Sequence, residues 1–277
     1  MDVGRFVISG GTDGIGRALA LHYLRAGADV VVIGRSEEKF RRLVAEAGGG
    51  VSGVSGAGVA HFVEADLALA AENRRVVVEV AERFPEIDAL ILCAAYLRTT
   101  RTVTAEGLEH TFALYYLSRY LLSHGLADRL EAADRPVVLN TSVPGASRDA
   151  VRWGDLQLDR RFTARRANQQ SRRANELLGL MLRARPAGRI RHVLYNPGFV
   201  RTSHAGALSR PARALVSALA AVAATPVDRA VEPIVELIDQ PPECQVSAYR
   251  RRHRLRLSAA AADIAEAERL RSVTGRL

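Results

Sequence analysis

The stretch that decides the fold is Arg5-Phe6-Val7-Ile8-Ser9-Gly10-Gly11-Thr12-Asp13-Gly14-Ile15-Gly16. Its first part is a short apolar run closed by turn residues, which predicts a buried strand. Directly after Gly16 the apolar residues take up helical spacing, through Ala26. Glycines at 10, 14 and 16 therefore stand between a strand and a helix. They let the backbone turn tightly and come close to a pyrophosphate, and the helix N-terminus adds unpaired N–H groups and the positive end of its dipole. The strand-to-helix setting gives this glycine pattern its meaning.

Outward from that segment the same alternation continues. Short apolar runs at 6–8, 29–33, 61–63, 89–92, 137–139 and 192–194 predict strands. Helical spacing at 17–26, 37–46, 73–83, 106–127 and 167–184 predicts the intervening helices. Repeated strand–helix alternation implies an α/β fold, a Rossmann-type doubly wound parallel sheet in three layers, with helices on both faces. The chain is read as a single domain over 1–277. Residues 48–58 predict a surface loop. The small, apolar stretch 203–225 follows the sixth strand, where an insertion lies over the ligand crevice. It is read either as a small helical substrate lid or as a helix packed on the core.

At the end of the second strand, Arg35-Ser36 occupies the place where a dinucleotide site that reads an unmodified ribose carries an acid. An arginine there suits a 2′-phosphate, so the expected cofactor is NADP.

The composition sets bounds. Of 277 residues, 48% are hydrophobic and 25% charged, which excludes a disordered or collagen-like chain. No segment approaches the ~20 apolar residues of a membrane span. A net charge of +9 would ordinarily point to nucleic acid. Here Lys39 is the only lysine, and the arginines are scattered apart from Arg250, Arg251, Arg252, Arg254 and Arg256. The excess is therefore read as compositional, and no nucleic-acid partner is expected. Cys93 and Cys244 form no ligand or redox motif and the histidines are dispersed, so no metal is expected. With no leader before Arg5, the expected location is cytoplasmic.

These motifs, in order and at these spacings, resemble the short-chain dehydrogenase/reductases, and the resemblance runs through nearly the whole chain. The family's Thr-Gly-x-x-x-Gly-x-Gly loop corresponds to Ser9–Gly16, with Gly10, Thr12, Asp13, Gly14, Ile15 and Gly16 on the cofactor. Its Asp-Leu after the third strand, which contacts adenine, corresponds to Asp66-Leu67. Its Asn-Asn-Ala-Gly becomes Leu92-Cys93-Ala94-Ala95, a partial match. Its Pro-Gly followed by Val-x-Thr, beside the nicotinamide, is intact at Pro197, Gly198, Val200 and Thr202. The Thr-x-Glu-Gly-Leu-Glu run from Thr104 to Glu109 and the Gln-Ser-x-x-Ala-Asn run from Gln170 to Asn175 are similar to the retinol-dehydrogenase-like branch. Relatives of this kind pair through the helices at 106–127 and 167–184, so a monomer or a homodimer is expected.

The resemblance also implies an Asn–Ser–Tyr–Lys set of catalytic residues, and this chain departs from it. Ser142 matches the serine. The Tyr-x-x-x-Lys position reads Asn168-Gln-Gln-Ser-Arg172, and the asparagine position falls at Tyr115. The only lysine, Lys39, follows Arg35 by four residues, so the motif exists nowhere in the chain. An amide donates hydrogen bonds but cannot give up a proton as an acid, so Asn168 cannot replace the tyrosine. Arg172 can fork onto ribose oxygens but stays charged.

Three readings follow. In the first, the protein is an atypical NADPH-dependent ketoreductase of a bulky, aromatic polyketide-type small molecule, with Ser142 polarising the carbonyl and Tyr115 or Tyr116 giving the proton. It would resemble ketoreductases without the usual catalytic set in actinomycete antibiotic pathways. In the second, it binds NADP without turnover, as a sensor. In the third, the fold does non-redox work such as cyclisation or dehydration.

Overall fold

The computed structural model describes residues 4–48, 58–96, 98–183, 188–198, 200, 225–258 and 260–277. Strands form at all six predicted places: β1 (Arg5–Ser9), β2 (Asp29–Gly34), β3 (Ala60–Glu64), β4 (Ala89–Leu92), β5 (Val137–Asn140) and β6 (Arg191–Asn196). Val7, Ile8, Val30 to Ile33 and Ala89 to Leu92 are wholly buried, because helices cover the sheet on both faces. Two more strands, β7 (Val246–Arg250) and β8 (His253–Leu255), extend the sheet. The order is β3-β2-β1-β4-β5-β6-β7-β8, parallel throughout except that β8 runs antiparallel to β7. The arginine cluster at 250–256 is thus an edge hairpin, with Arg252 paired to Glu232 and Glu236. Charge on an exposed edge discourages pairing with other chains.

One face of the sheet is covered by α1 (Gly14–Arg25), α2 (Glu37–Ala47) and α7 (Val227–Asp239). The other carries α3 (Ala70–Arg83), the composite α4 (110–125), the short α5 (Ala127–Glu131) and α6 (Ala164–Arg183). The C-terminal α8 (Ala261–Thr274) packs outside α4 and α6 through Ala267 and Leu270. Neither α7 nor α8 is among the helices predicted from sequence.

Helix α4 is composite. It runs His110–Phe112, then a π-helical turn Ala113–Leu117, then Ser118–Gly125. Its start at His110, later than the predicted 106, has a local cause. The Glu109 carboxylate accepts from the N–H groups of Thr111 (2.9 Å) and Phe112 (2.8 Å), fixing the N-terminus there. The preceding residues instead form a turn in which Thr104 N–H donates to Leu108 O (2.8 Å) and Gly107 takes φ +81. Glu106, in that turn, caps α3: its carboxylate accepts from Ala70 (2.5 Å) and Ala71 (2.9 Å) N–H. The acidic run at 104–109 thus sets two helix starts.

Candidate active site

In this strand order the chain reverses direction across the sheet between β1 and β4, where open α/β sheets place their ligands. A cavity of about 420 Å³ opens there, beyond the carboxyl ends of the central strands. The loop after β1 forms its floor, with Gly10, Thr12, Asp13, Gly14, Ile15 and Gly16 all lining it. Glycine is required at two of these positions. A Cβ on Gly10, at φ +67, would stand 2.8 Å from the Ala94 backbone, and one on Gly16 would stand 2.4 Å from Gly10 O. The loop is therefore pressed against both β4 and α1, which brings the first turn of α1 to the cavity wall. This is the cradle a pyrophosphate needs, and the residues present fit a dinucleotide.

Arg35 lines the cavity, exposed, at the end of β2, and Asp66 and Leu67 line it after β3. Ser36 stands apart. Its hydroxyl accepts from Lys39 N–H (3.3 Å) as the N-cap of α2, and it does not line the cavity. Lys39 itself pairs with Asp13 of the glycine loop. Cys93, Ala94 and Ala95 line the cavity after β4, and Pro197, Gly198 and Val200 do so after β6. Gly198, at φ +75, has its N–H held by Asn196 Oδ1 at 2.9 Å. Thr202 and residues 203–224 of the expected lid lie outside the described residues; Thr225 is bridged to Val200.

The expected catalytic residues separate. Tyr115 and Asn168 both line the cavity, facing it from α4 and α6 together with Thr141 and Val143. Ser142 does not. It is 3% exposed, and its hydroxyl donates to Asn140 O at 3.4 Å. The chain turns at Val143, at φ +53, so successive residues after β5 point to different sides. Arg172 also stays off the cavity wall. Its Nε donates to Val143 O at 2.6 Å, which holds that turn instead of presenting the guanidinium to a ribose. Tyr116 is excluded as a proton donor: it is wholly buried and its hydroxyl bonds Thr274 Oγ1 of α8 at 2.7 Å.

Behind the cavity runs a buried chain of polar groups that the sequence reading missed. Asn175 Nδ2 donates to the Tyr115 carbonyl (2.7 Å) and to Ser171 O (2.7 Å). Asn140 Nδ2 donates to Asn175 Oδ1 (2.7 Å), and Arg119 Nη1 donates to Asn140 Oδ1 (2.7 Å). Arg119 Nη2 reaches Ala94 O at 3.3 Å. The chain ties the π turn of α4 to β4, β5 and α6. His110, Tyr96 and Leu114 also line the cavity. Burial, followed by the nearby Arg98, holds the His110 imidazole below its ordinary pKa. Asn175 and Ser171 belong to the Gln170–Asn175 run, but that pattern gives no sign of their link to Asn140, Arg119 and the Tyr115 carbonyl, which only contact geometry reveals.

Known proteins with the same features can now be compared. The short chain dehydrogenase profile matches residues 5–153. The "Putative daunorubicin C-13 ketoreductase DnrU" of Streptomyces sp. (strain C5) is 35% identical over 197 residues, covering 71% of this chain and 66% of that protein. Retinol dehydrogenase 14 of Mus musculus is 29% identical over 225 residues, covering 76% of this chain and 67% of that protein. The matches thus span about two thirds of the length of these curated relatives. Among solved structures, a short chain dehydrogenase from Burkholderia cenocepacia J2315 in complex with NADP superposes with a TM-score of 0.64 at 21% identity, covering 89% of this chain and 95% of that one. The glycine cradle, the strand order and the profile agree, and the chain belongs to the short chain dehydrogenase family.

Proposed function

We propose that the protein is an NADPH-dependent ketoreductase acting on a bulky, aromatic polyketide-type ketone. The observation that carries this is one continuous cavity with the glycine cradle and Arg35 along one part of its wall and the Tyr115 ring in another. The ketoreductase name of the Streptomyces relative and the NADP in the Burkholderia structure support it.

The cradle of Gly10 to Gly16 and the N-terminus of α1 would bind the pyrophosphate, Arg35 the 2′-phosphate, Asp66 and Leu67 the adenosine, and Pro197 to Val200 the nicotinamide side. NADPH, when bound, supplies the hydride that goes to the carbonyl carbon. Tyr115 gives its phenolic proton to the carbonyl oxygen. Asn168 donates an amide hydrogen bond to the same oxygen, and so orients it without titrating. Ser142 and Arg172 hold the turn at Val143 and take no part in proton transfer.

Calorimetric titration with NADPH and NADH tests the cofactor. NADPH is expected to bind more tightly. Arg35→Glu should remove roughly ten- to a hundredfold of that preference, the value of a charge-assisted hydrogen bond. Equal binding of both cofactors would remove the assignment to Arg35. A second reading, a nucleotide sensor without turnover, draws on the commitment of Ser142 and Arg172 to backbone carbonyls. Oxidation of NADPH by a daunorubicin-type ketone, followed at the nicotinamide absorbance, separates the two.

A further inference from the structure

Arg119 is the most deeply buried cation of the described residues, with 1% of its surface exposed. Burying a charge is costly unless it is paired. Among the described residues no carboxylate pairs with it. Its Nη1 meets the neutral amide of Asn140 and its Nη2 a backbone carbonyl, and its Nε has no partner. Its guanidinium carbon lies 5.3 Å from the centre of the Tyr115 ring. Burial pulls the Arg119 pKa down, to about 10, which leaves it charged at neutral pH.

We propose that Arg119 is the positioning residue for Tyr115: its fixed, uncompensated charge stabilises the phenolate that Tyr115 becomes on releasing its proton, work done in the family by a lysine this chain lacks. The inference rests on Tyr115 being the proton donor. In the step itself, the hydride adds to the carbonyl carbon and the carbonyl π pair moves to oxygen. The Tyr115 proton then bonds that oxygen and leaves a phenolate, which water reprotonates after release. The phenolate forms in a low-dielectric wall, where a charge at this range has most effect.

The surroundings fit this role. Just after β4, burial pushes the Cys93 thiol up to about 12, so it stays neutral and cancels none of the arginine's charge. From β5 comes the neutral amide of Asn140, and from α6 the amides of Asn168 and Asn175. Arg172 of α6 is directed to Val143 O. For Tyr115, burial raises the phenol pKa and Arg119 opposes that rise. The arginine sits four residues after the tyrosine, in the α-helical segment that follows the π turn, while Asn175 grips the Tyr115 carbonyl. Both ends of the pair are thus held by the same buried amide chain.

A fluorinated tyrosine placed at position 115 and followed by ¹⁹F NMR reads this one phenol without cofactor or turnover. Arg119→Gln should raise its titration midpoint by about one to two pH units, as loss of a close opposite charge does. Arg119→Lys should restore most of the shift. If Arg119→Gln folds poorly, Asn140→Asp neutralises the arginine in place and should raise the midpoint in the same direction. An unmoved midpoint in either folded variant overturns the inference, whatever the activity. A moved midpoint together with full carbonyl reduction by Tyr115→Phe overturns the choice of proton donor instead, and so ends the catalytic use of the pair while leaving the electrostatic coupling established.

Discussion

Tyr115 is subject to two opposed influences. Burial lifts its pKa above the ordinary 10.0, while Arg119 favours the charged form. The raised value keeps the phenol protonated across the neutral range. If Tyr115 is the proton donor proposed above, the rate should stay level through neutral pH and fall only as pH rises through the folded pKa. A rate already falling between pH 6 and 8 would place the essential proton elsewhere. Tyr115→Phe should lower kcat by about 10²–10⁴-fold, the usual worth of a general acid, with NADPH affinity retained in the same calorimetric assay. At this scale the sequence pointed to the glycine loop and Arg35 from their positions at strand ends, and to Asp66 and Tyr115 through the family resemblance, and all of these line the cavity. Ser142 and Ser36, also expected at the site, stand off the cavity wall with their hydroxyls bonded to backbone. Whether a hydroxyl at a strand end or helix start faces a ligand or the backbone is decided by one dihedral angle, and residue type does not encode it.

Among the elements, the two glutamates of the 104–109 turn carry the clearest consequences. Glu109 is wholly buried and satisfies two N–H groups of α4, and Glu106 satisfies two of α3 from outside that helix. Leu69, the N-cap of α3, makes no side-chain cap bond of its own. Removing a capping side chain costs about 0.5–2 kcal/mol, so Glu109→Ala and Glu106→Ala should each lower stability by about 1 kcal/mol or somewhat more in urea unfolding. Glu109→Ala is expected to be the more damaging, because its partners are buried. No change in midpoint for either would remove their capping roles. The first six strands and the helices between them were legible from the apolar pattern; α7, α8, β7 and β8 were not. The start of α4 was not, since a helical period runs on through residues that a buried carboxylate diverts into a turn. The π turn at Ala113–Leu117 leaves no trace in the residue pattern either.

Over the whole molecule, α8 is fastened to α6 by ions. Arg173 Nη2 donates to Asp263 at 2.5 Å and Glu266 at 2.8 Å, and Nη1 to Glu176 at 3.2 Å. Asp263 also accepts from Ser258 Oγ (2.6 Å) and Ala260 N–H (3.0 Å). Breaking a buried ion pair from one side leaves an uncompensated charge, at about 3–5 kcal/mol. Because Glu176 and Glu266 remain, Asp263→Ala should cost about 3 kcal/mol, seen as a fall in Tm, with NADPH affinity unchanged. A silent Asp263→Ala would show that α8 is held by its apolar face alone. Through Ala267, Leu270 and Thr274 the same helix covers buried parts of α4 and α6, including Tyr116. That covering takes one of the two tyrosines considered as proton donors out of the chemistry.

The sequence by itself determined the α/β architecture, the six central parallel strands and the glycine cradle. Short apolar runs buried on both faces, period-3.6 apolar patterns, and glycines at a strand-to-helix junction are local signals of backbone geometry. It also showed that no Tyr-x-x-x-Lys motif exists, which needs only the identity of Lys39. The tertiary structure alone decided which side chains share the cavity, that Ser142 and Arg172 bond backbone carbonyls, and that Arg119, with no carboxylate partner among the described residues, lies buried behind Tyr115. Those facts depend on where β4, β5, α4 and α6 converge, and contacts between segments far apart in the chain leave no periodic signature within any one of them.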